Sequence, residues 1–207
     1  MNILITAGPT REHLDPIRFL SNRSTGKMGF AVAQAAVERG HAVTLIAGPV
    51  SLPTPPGVMR IDVVSARDML AAVQLHLPQQ DALVMSAAVA DWRPAQVAQA
   101  KLKKCDMAPV IHLEPNPDIL KTVSSLKGSR IFVGFAAETG DPTAEAQRKL
   151  AAKGLDMIVA NDVTAEGSGF AVETNRVTFI TADEAPRALP LQSKLAVGHA
   201  IIDWLEK

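Results

Sequence analysis

The chain of 207 residues has a single cysteine, Cys105, and no net charge, with 21 lysines and arginines against 21 aspartates and glutamates. One cysteine excludes an intrachain disulfide framework and a metal site with several cysteine ligands, and it fits a reducing cytoplasm. The balanced charge excludes a global electrostatic attraction to nucleic acid or to a membrane surface. Any basic site must therefore be local.

The sequence also lacks a long apolar run and a leader-like start. No apolar run approaches the roughly 20 residues that span a bilayer, and the first residues pass directly into a strand-like segment. With 47% hydrophobic residues, the chain is long enough for one well-cored domain and short for two. We therefore expect one cytoplasmic domain over residues 1–207, with neither nucleic acid nor membrane as a partner.

Apolar, β-branched runs alternate with segments of helical periodicity along most of the chain. Strands are predicted at residues 2–7, 41–47, 60–64, 82–85, 130–135, 157–160 and 176–180. Helices are predicted at residues 26–39, 65–77, 116–126 and from about 193. The second of these helices opens with Ser65 and Asp68, which have the spacing of a capping box.

This alternation predicts an α/β fold with a doubly wound, mostly parallel Rossmann-like sheet and helices on both faces. Parallel strands joined by helices of this length need right-handed crossovers, which place helices on either face of the sheet. The tail differs, because residues 175–181 and 188–191 have the pattern of an antiparallel edge hairpin before the final helix. Ligands of such sheets bind at the carboxyl ends of the strands.

The loop between the first strand and the first helix carries an excess of polar side chains. Two familiar phosphate motifs are absent: there is no G-x-G-x-x-G, and Gly26-Lys27 is followed by Met28 where a P-loop has Ser or Thr. The loop still supplies donors beside a helix N-terminus, where the helix dipole favours an anion. It is either an anion site or a solvated helix cap. The donors are Arg11, Arg18, Ser21, Asn22, Arg23, Ser24 and Thr25.

Two later strand ends carry groups suited to a nucleotide. The small residues at 86–90 would let a ligand approach the backbone closely. Asp91 then either holds a ribose hydroxyl or a hydrated cation, or is a turn residue. Residues 134–139 end another strand with small side chains, and Phe135 there either stacks on a nucleobase or lies in the core.

Lysines are concentrated at two places. Three of the residues 101–104 are lysines, within a segment of weak periodicity at residues 96–108. This segment is either a solvated loop or a mobile flap whose lysine stabilises phosphoryl charge. Lys149 and Lys153 lie four residues apart on one face of the next helix, a spacing that is also common on solvated helices.

Seven segments, in chain order, carry a specific resemblance. They are Ile5-Thr-Ala-Gly-Pro-Thr-Arg-Glu12, Asp15-Pro-Ile-Arg-Phe-Leu-Ser-Asn-Arg-Ser-Thr-Gly-Lys-Met-Gly29, Ala87-Ala-Val-Ala-Asp91, Lys101-x-Lys-Lys104, Asn116-Pro-Asp-Ile119, Gly134-Phe-Ala-Ala-Glu-Thr139 and Ala160-Asn-Asp162. Several of them are long and unusual, and together they extend over nearly the whole chain. The sequence resembles the family of bacterial phosphopantothenate–cysteine ligases, enzymes of the coenzyme A pathway.

The resemblance implies a ligase that joins 4'-phosphopantothenate to L-cysteine with CTP and Mg²⁺. In that family the substrate carboxylate attacks the α-phosphate of CTP and pyrophosphate leaves. The cysteine amine then displaces CMP from the acyl-cytidylate and forms the amide. Such phosphoryl transfer needs positioning and charge stabilisation more than a covalent nucleophile. The preference for CTP over ATP follows from the resemblance alone, and the sequence identifies no metal ligands.

The resemblance also implies roles for residues of this chain. Nucleotide binding is implied for Met85, Ser86, Ala87, Asp91, Lys101, Asn116, Pro117, Asp118, Ile119, Phe135, Lys149 and Lys153. Substrate binding is implied for Arg18, Asn22, Ser24 and Thr25. Catalytic roles at the acyl-cytidylate are implied for Arg18, Asn22 and Ala87, and Lys101 is expected to offset charge as pyrophosphate leaves.

The family further implies a homodimer with the pantothenoyl part near the subunit interface. The chain is then either a free-standing ligase or the ligase half of a longer protein that carries a flavin-dependent phosphopantothenoylcysteine decarboxylase. Two other functions compete. A nicotinamide-binding protein would need the missing glycines and an acidic residue at the end of the second strand, where Ala47-Gly48-Pro49 stands. A structural subunit would leave Asn22 and the lysines of residues 101–104 without a role.

Overall fold

The computed structural model describes most of the chain. Residues 105–108 of the predicted flap, including Cys105, lie outside the described residues. Thr139, which follows the strand predicted at residues 130–135, lies outside them too. Within the described part, no helix is long and apolar enough to cross a membrane. The described residues are 1–104, 110–138, 143–162, 164 and 167–207, without the side chains of Glu138 and Asp162.

Strands and helices alternate along the described residues. The helices are α1 (Lys27–Glu38), α2 (Ala66–His76), α3 (Ile119–Val123), α4 (Thr143–Lys153) and α5 (Lys194–Leu205). The strands are β1 (Asn2–Ala7), β2 (Arg11–His13), β3 (Phe19–Ser21), β4 (Ala42–Ala47), β5 (Val58–Asp62), β6 (Ala82–Met85), β7 (Trp92–Pro94), β8 (Leu113–Pro115), β9 (Ile131–Glu138), β10 (Met157–Asp162), β11 (Thr174–Asn175), β12 (Val177–Ile180), β13 (Arg187–Ala188) and β14 (Gln192–Ser193).

The central sheet of the described residues has eight strands in the order β13-β12-β10-β9-β6-β1-β4-β5. The six strands from β10 to β5 are parallel, and β12 and β13 add an antiparallel edge. The chain runs outward from β1 through β4 to β5 and then returns to β6 on the other side of β1. The predicted doubly wound, Rossmann-like sheet with an antiparallel edge hairpin is confirmed. The order reverses between β1 and β6, which is where such sheets bind ligands.

Two hydrophobic clusters cover the two faces of this sheet. Alternate residues of a strand point to opposite faces, so Ile3 and Ile5 join one cluster while Leu4 joins the other. The first cluster takes in α1 and α5. The second takes in α2, α3 and α4. Helices therefore lie on both faces, as the sequence predicts.

Several elements differ from the sequence prediction. The loop after β1 contains a short antiparallel hairpin, β2 with β3, and β7 pairs with β8 in another. These strands have only three residues each, which is too short for an alternating hydrophobic pattern, so the sequence does not predict them. The predicted strand at 60–64 is shifted to Val58–Asp62, because its pairing with β4 sets the register. The predicted helix to residue 126 ends at Val123, and a 3₁₀ turn, Ser124–Leu126, follows it.

Helix α1 packs on β1 more closely than a side chain would permit. A Cβ built on Gly29 would lie 2.6 Å from the Cβ of Ala7 and 2.9 Å from the carbonyl oxygen of Thr6. Gly26, directly before α1, has a φ of +80°, which a residue with a Cβ rarely adopts. Both glycines therefore serve to bring the N-terminus of α1 against the carboxyl end of β1.

Candidate active site

A cavity of about 620 Å³ opens at the carboxyl ends of β1, β6, β9 and β10 and beside the N-terminus of α1. Its volume is within the range of small-molecule and cofactor sites. Most of the residues that the sequence proposes for nucleotide and substrate binding line it together: Asn22, Ser24, Thr25, Met85, Ser86, Ala87, Asp91, Asn116, Pro117, Asp118, Ile119, Phe135, Lys149 and Lys153.

One end of the cavity is formed by the N-terminus of α1. No side chain among the described residues caps this helix, so its first N–H groups and the positive end of its dipole are directed at the cavity. Gly26 and Lys27 line the cavity here. Lys27 Nζ donates to the Ala171 carbonyl oxygen at 3.0 Å and pairs with the Glu173 carboxylate. An anion bound here would meet both backbone donors and a cation.

Asn22 has one defined orientation beside the cavity. Its Nδ2 donates to the carbonyl oxygens of Ala88, at 3.0 Å, and Val89, at 3.2 Å. A carbonyl oxygen accepts hydrogen bonds from the nitrogen of a side-chain amide and not from its oxygen. Asn22 Oδ1 must therefore face away from both carbonyls. Among the described residues Oδ1 has no donor partner, and it is therefore an acceptor available to a ligand.

The segment after β6 is held by the segment after β1. The Ala87 N–H donates to Thr6 Oγ1 at 3.2 Å, and the Ala90 N–H donates to Thr10 Oγ1 at 3.0 Å. The Ala88 N–H donates to the Gly8 carbonyl oxygen at 2.9 Å. This part of the cavity wall is thus a fixed backbone with small side chains, which a ligand can approach closely.

Asn116 joins the segment after β6 to the entry of α3. Its N–H donates to the Asp91 carbonyl oxygen at 2.7 Å, and its Nδ2 donates to the Ala90 carbonyl oxygen at 2.8 Å. Arg93 donates to its Oδ1 at 3.1 Å and pairs with Glu114 at 2.7 Å. Both polar atoms of the Asn116 side chain thereby have a partner in the wall.

Cations from α4 form the opposite rim of the cavity. Lys153 Nζ pairs with Asp118 at 3.0 Å, and Lys149 Nζ pairs with Glu145 at 3.6 Å. Both lysine side chains are about one-third exposed. Because exposed ion pairs contribute little stability, a more highly charged ligand can replace these carboxylates at small cost.

Arg18 and Lys101 lie away from this cavity. Arg18 lines a second, smaller cavity of about 330 Å³ with Leu102, and Lys101 lines neither. Arg18 Nη2 lies 2.6 Å from Asp15 Oδ2 and donates to the Leu102 carbonyl oxygen at 2.9 Å. The Leu102 N–H donates to the same Asp15 oxygen at 3.2 Å. Asp15 and Arg18 therefore fix the neighbour of Lys101 and so anchor the described part of the predicted flap.

Six of the lining residues to which the sequence assigns no site role bear on the chemistry of the cavity. They come from β10 and from the C-terminal region, apart from Lys27, which stands in one of the motif segments. Asn161 also stands in such a segment, whereas nothing in the local sequence marks Lys194, which opens α5 and is 4% exposed. These residues are Lys27, Asn161, Gly169, Phe170, Asn175 and Lys194.

The fold and the cavity define a Rossmann-like α/β domain with a polar, cation-rimmed ligand site at the switch point of the sheet. The chain belongs to the family described as the DNA/pantothenate metabolism flavoprotein C-terminal domain, whose profile matches residues 1–207. It is 49% identical over 208 residues to the coenzyme A biosynthesis bifunctional protein CoaBC of Vibrio vulnificus, covering 99% of this chain and 52% of that protein. The resemblance found from the motif segments is confirmed.

Two solved structures are similar over the whole chain. The C-terminal domain of a CoaBC protein is 42% identical, with a TM-score of 0.85 and coverage of 99% of this chain and 93% of that one. A Cab2 variant in complex with phosphopantothenate-cysteine has a TM-score of 0.81 at 17% identity, covering 99% of this chain and 84% of that one, and supports the fold alone. The chain spans about half the length of the curated relatives it matches.

The Asp15 and Arg18 pair predicts an acid-dependent loss of stability. The hydrogen bond from Arg18 holds the pKa of the buried Asp15 carboxyl well below its usual range. Its stabilisation is therefore present at neutral pH and is lost as the pH falls below about 4, where the unfolded carboxyl takes up a proton first. Asp15→Asn should lower the urea midpoint more at pH 7 than at pH 3.

The exposed Asp183 provides the matched control for this change. Asp183→Asn should leave the urea midpoint within error of the wild-type chain at both pH values. An Asp15→Asn effect of the same size at pH 7 and pH 3 would show that the charge of Asp15 does not contribute.

Proposed function

We propose that the chain catalyses the CTP-dependent ligation of 4'-phosphopantothenate to L-cysteine through a 4'-phosphopantothenoyl-cytidylate. The observation that carries this proposal is that one cavity brings all the implied nucleotide residues except Lys101 together with the implied acyl-cytidylate residue Asn22. Its relatives are coenzyme A biosynthesis bifunctional proteins, and a protein of the same fold binds phosphopantothenate-cysteine. A cytoplasmic location is part of the proposal, in accord with the single cysteine.

The proposed reaction has two half-reactions. First, a carboxylate oxygen of 4'-phosphopantothenate bonds to the α-phosphorus of CTP, and the bond to pyrophosphate breaks. Then the cysteine nitrogen bonds to the acyl carbon, CMP leaves, and the amine releases a proton. The protein contributes positioning and charge stabilisation in the first step, and an oriented acceptor in the second.

The nucleotide is proposed to lie between the segment after β6 and the lysines of α4. Lys153 pairs with Asp118, and Lys149 pairs with Glu145. A triphosphate would replace these carboxylates as the partner of both lysines. Phe135, within β9, packs partly buried against the first hydrophobic cluster and also lines the cavity, where it is proposed to contact the nucleobase.

Mg²⁺ fits this site as an ion carried by the triphosphate. Among the described residues, no three histidine, cysteine or acidic side chains cluster as a cage for a metal. Mg²⁺ needs only one or two carboxylates when substrate phosphates complete its ligands. Asp91, exposed at the cavity with no described ion-pair partner, is the carboxylate that would hold it. When bound, the ion would neutralise charge on the phosphates.

A phosphate group of the bound substrates is proposed to lie at the N-terminus of α1. The helix start, Lys27 and the hydroxyl of Ser24 lie at that end of the cavity, whereas the Thr25 hydroxyl already donates to the Phe170 carbonyl oxygen at 2.6 Å. The pantothenoyl carboxylate would then extend toward Asn22, which lies between the helix and the segment after β6. The cations and donors of the cavity would thereby hold the two anionic substrates beside each other despite their mutual repulsion.

A homodimer and a flavin-dependent partner domain are also proposed. The hairpins β2–β3 and β7–β8 expose Phe19, Trp92 and Leu113, which are 40%, 54% and 45% accessible. A second copy of this chain would cover these apolar side chains and place its residues near Arg18. The curated relatives are about twice as long as this chain, which is in accord with an additional decarboxylase domain in the whole protein.

Pyrophosphate release tests the function. The purified chain with Mg²⁺ and 4'-phosphopantothenate should release pyrophosphate with CTP and continue to the amide only when L-cysteine is added. ATP, GTP and UTP are the comparison nucleotides, and NADP in a thermal-shift assay tests the nicotinamide alternative. Absence of pyrophosphate release with all four nucleotides would refute the proposal.

Asn22→Asp should separate the two half-reactions. The change places a carboxylate oxygen about 3 Å from the carbonyl oxygens of Ala88 and Val89, and repulsion turns the acceptor away from the cysteine amine. The variant should bind CTP and release pyrophosphate, yet form little amide. Mass spectrometry of quenched mixtures should show accumulated 4'-phosphopantothenoyl-CMP.

Gln34→Glu is the control, because it makes the same amide-to-carboxylate change on the exposed face of α1. It should leave both half-reactions unchanged. If Asn22→Asp loses pyrophosphate release as well, Asn22 acts in the first step or only in folding.

Lys101→Gln should slow cytidylate formation by about 10²- to 10³-fold, the usual effect of removing one charged contact to a transition state. Lys101 is exposed and lies next to Leu102, which Asp15 and Arg18 anchor. Movement of this segment toward the main cavity would bring the ammonium to the triphosphate. Single-turnover pyrophosphate release is the measurement. Lys103→Gln is the matched control and should have less than a tenfold effect.

A further inference from the structure

The peptide group between Val89 and Ala90 is held on both sides. Its carbonyl oxygen accepts from Asn22 Nδ2 at 3.2 Å, and its N–H donates to Thr10 Oγ1 at 3.0 Å. Because the peptide group is planar and trans, its N–H and its carbonyl point in opposite directions. The bond that fixes the N–H therefore also fixes the direction in which the carbonyl oxygen is presented to Asn22.

Thr10 also contacts the chain directly before Asn22. Its carbonyl oxygen accepts from the hydroxyl of Ser21 at 2.7 Å. Thr10 lies between β1 and β2, and the pairing of β2 with β3 brings Ser21 back beside it. Thr10 thus contacts both the residue that precedes Asn22 and the peptide group that accepts from the Asn22 side chain.

The Thr10 hydroxyl does not reach a ligand itself. Thr10 is fully buried, with 0% exposure, and it lines neither cavity. Within the described part of the chain, the Ala90 N–H is the hydrogen-bond partner of its hydroxyl. A valine has nearly the same shape and would fill the same space, so packing alone does not account for a threonine here. The hydroxyl acts on the peptide group that Asn22 contacts.

We propose that Thr10 is a positioning residue that sets the orientation of Asn22 and thereby serves the attack of the cysteine amine on the acyl-cytidylate. The inference rests on the proposed function, since it concerns the acceptor that Asn22 Oδ1 offers to the amine. Asn22 Oδ1 faces away from the wall because Nδ2 is bonded to the carbonyls of Ala88 and Val89. If the Val89 carbonyl turns, Nδ2 loses one of these two acceptors and Oδ1 loses its single orientation.

The balance between the two half-reactions tests this role. Thr10→Val removes the hydroxyl and keeps the branched shape, so the Ala90 N–H loses its acceptor. Because a misplaced group can cost up to about 10²-fold in rate, amide formation should fall by about 10- to 100-fold. Single-turnover pyrophosphate release should remain within about threefold, since this change leaves the charge stabilisation of that step in place. The intermediate 4'-phosphopantothenoyl-CMP should then accumulate, and Thr10→Ser, which keeps the hydroxyl, should restore amide formation.

Thr44→Val is the matched control. Thr44 is also buried, at 6% exposure, but it lies in β4 and lines neither cavity. The same loss of a hydroxyl at this position should leave both half-reactions unchanged.

A double-mutant cycle shows whether Thr10 acts through Asn22. Thr10→Val added to Asn22→Ala should cause little further loss of amide formation, because the side chain that Thr10 orients is already absent. If the two losses multiply, Thr10 acts independently of Asn22 and the proposed role is wrong.

Nuclear magnetic resonance tests the same contact without any activity. In Thr10→Val the backbone N–H signal of Ala90 and the side-chain amide signals of Asn22 should both shift, and in Thr44→Val neither should. Unchanged Asn22 signals in Thr10→Val would refute the role. If Thr10→Val does not fold, Thr10→Cys replaces it, since sulfur is a weak acceptor and should cause the same changes to a smaller degree.

The outcomes separate this proposal from the proposed function. If the wild-type chain releases no pyrophosphate with any nucleotide, the proposed function fails, and the Asn22 signals alone decide whether Thr10 orients it. If the wild-type chain is active and Thr10→Val slows both half-reactions equally, with a lower melting temperature, Thr10 contributes only to folding and the positioning role is refuted. Accumulation of the intermediate with normal pyrophosphate release, reversed in Thr10→Ser, supports it.

Discussion

The close packing of α1 on β1 is the constraint on which the site depends. Without a side chain at position 29, the helix backbone reaches the Cβ of Ala7, and the N-terminus of α1 lies at the carboxyl end of the sheet's first strand. The reversal of strand order between β1 and β6 leaves room at the same place. The helix dipole, the strand ends and the cavity therefore coincide because two glycines permit it.

Three lysines around the cavity each have an acceptor within the protein. Lys153 has Asp118, Lys27 has Glu173, and Lys194 has three carbonyl oxygens. Lys153 and Lys27 form exposed or half-buried ion pairs in which a phosphate can replace the carboxylate. The buried Lys194, in contrast, cannot change partners without moving the backbone. This difference divides the lysines into those suited to bind phosphate and one whose ammonium is satisfied by the backbone.

The second cavity and its hairpins give the molecule a separate, more apolar surface. Asp15 fixes Arg18 and Leu102 there through its two carboxylate oxygens. Arg18 is consequently engaged away from the main cavity, although the family resemblance implies a role for it at the acyl-cytidylate. To act at the acyl-cytidylate, Arg18 would need either a movement of its hairpin or a position beside the main cavity of a second copy of the chain. The exposed apolar side chains on the same hairpins favour the second copy.

The sequence by itself determined the pattern of strands and helices, the parallel direction of most strands of the central sheet, and many of the residues that line the main cavity. Long apolar runs such as Ile3 to Ala7, the capping pair Ser65 and Asp68, and the motif segments act locally, so their patterns can be read without coordinates. Only the tertiary structure decided the three-residue hairpins, the register of β5, the orientation of Asn22 and the contacts of Lys194. Each of these depends on partners distant in sequence: the carbonyls that hold Asn22 lie 66 and 67 residues away, and those that hold Lys194 lie 20 to 25 residues away. A local pattern cannot show such contacts, because the fold alone brings these residues together.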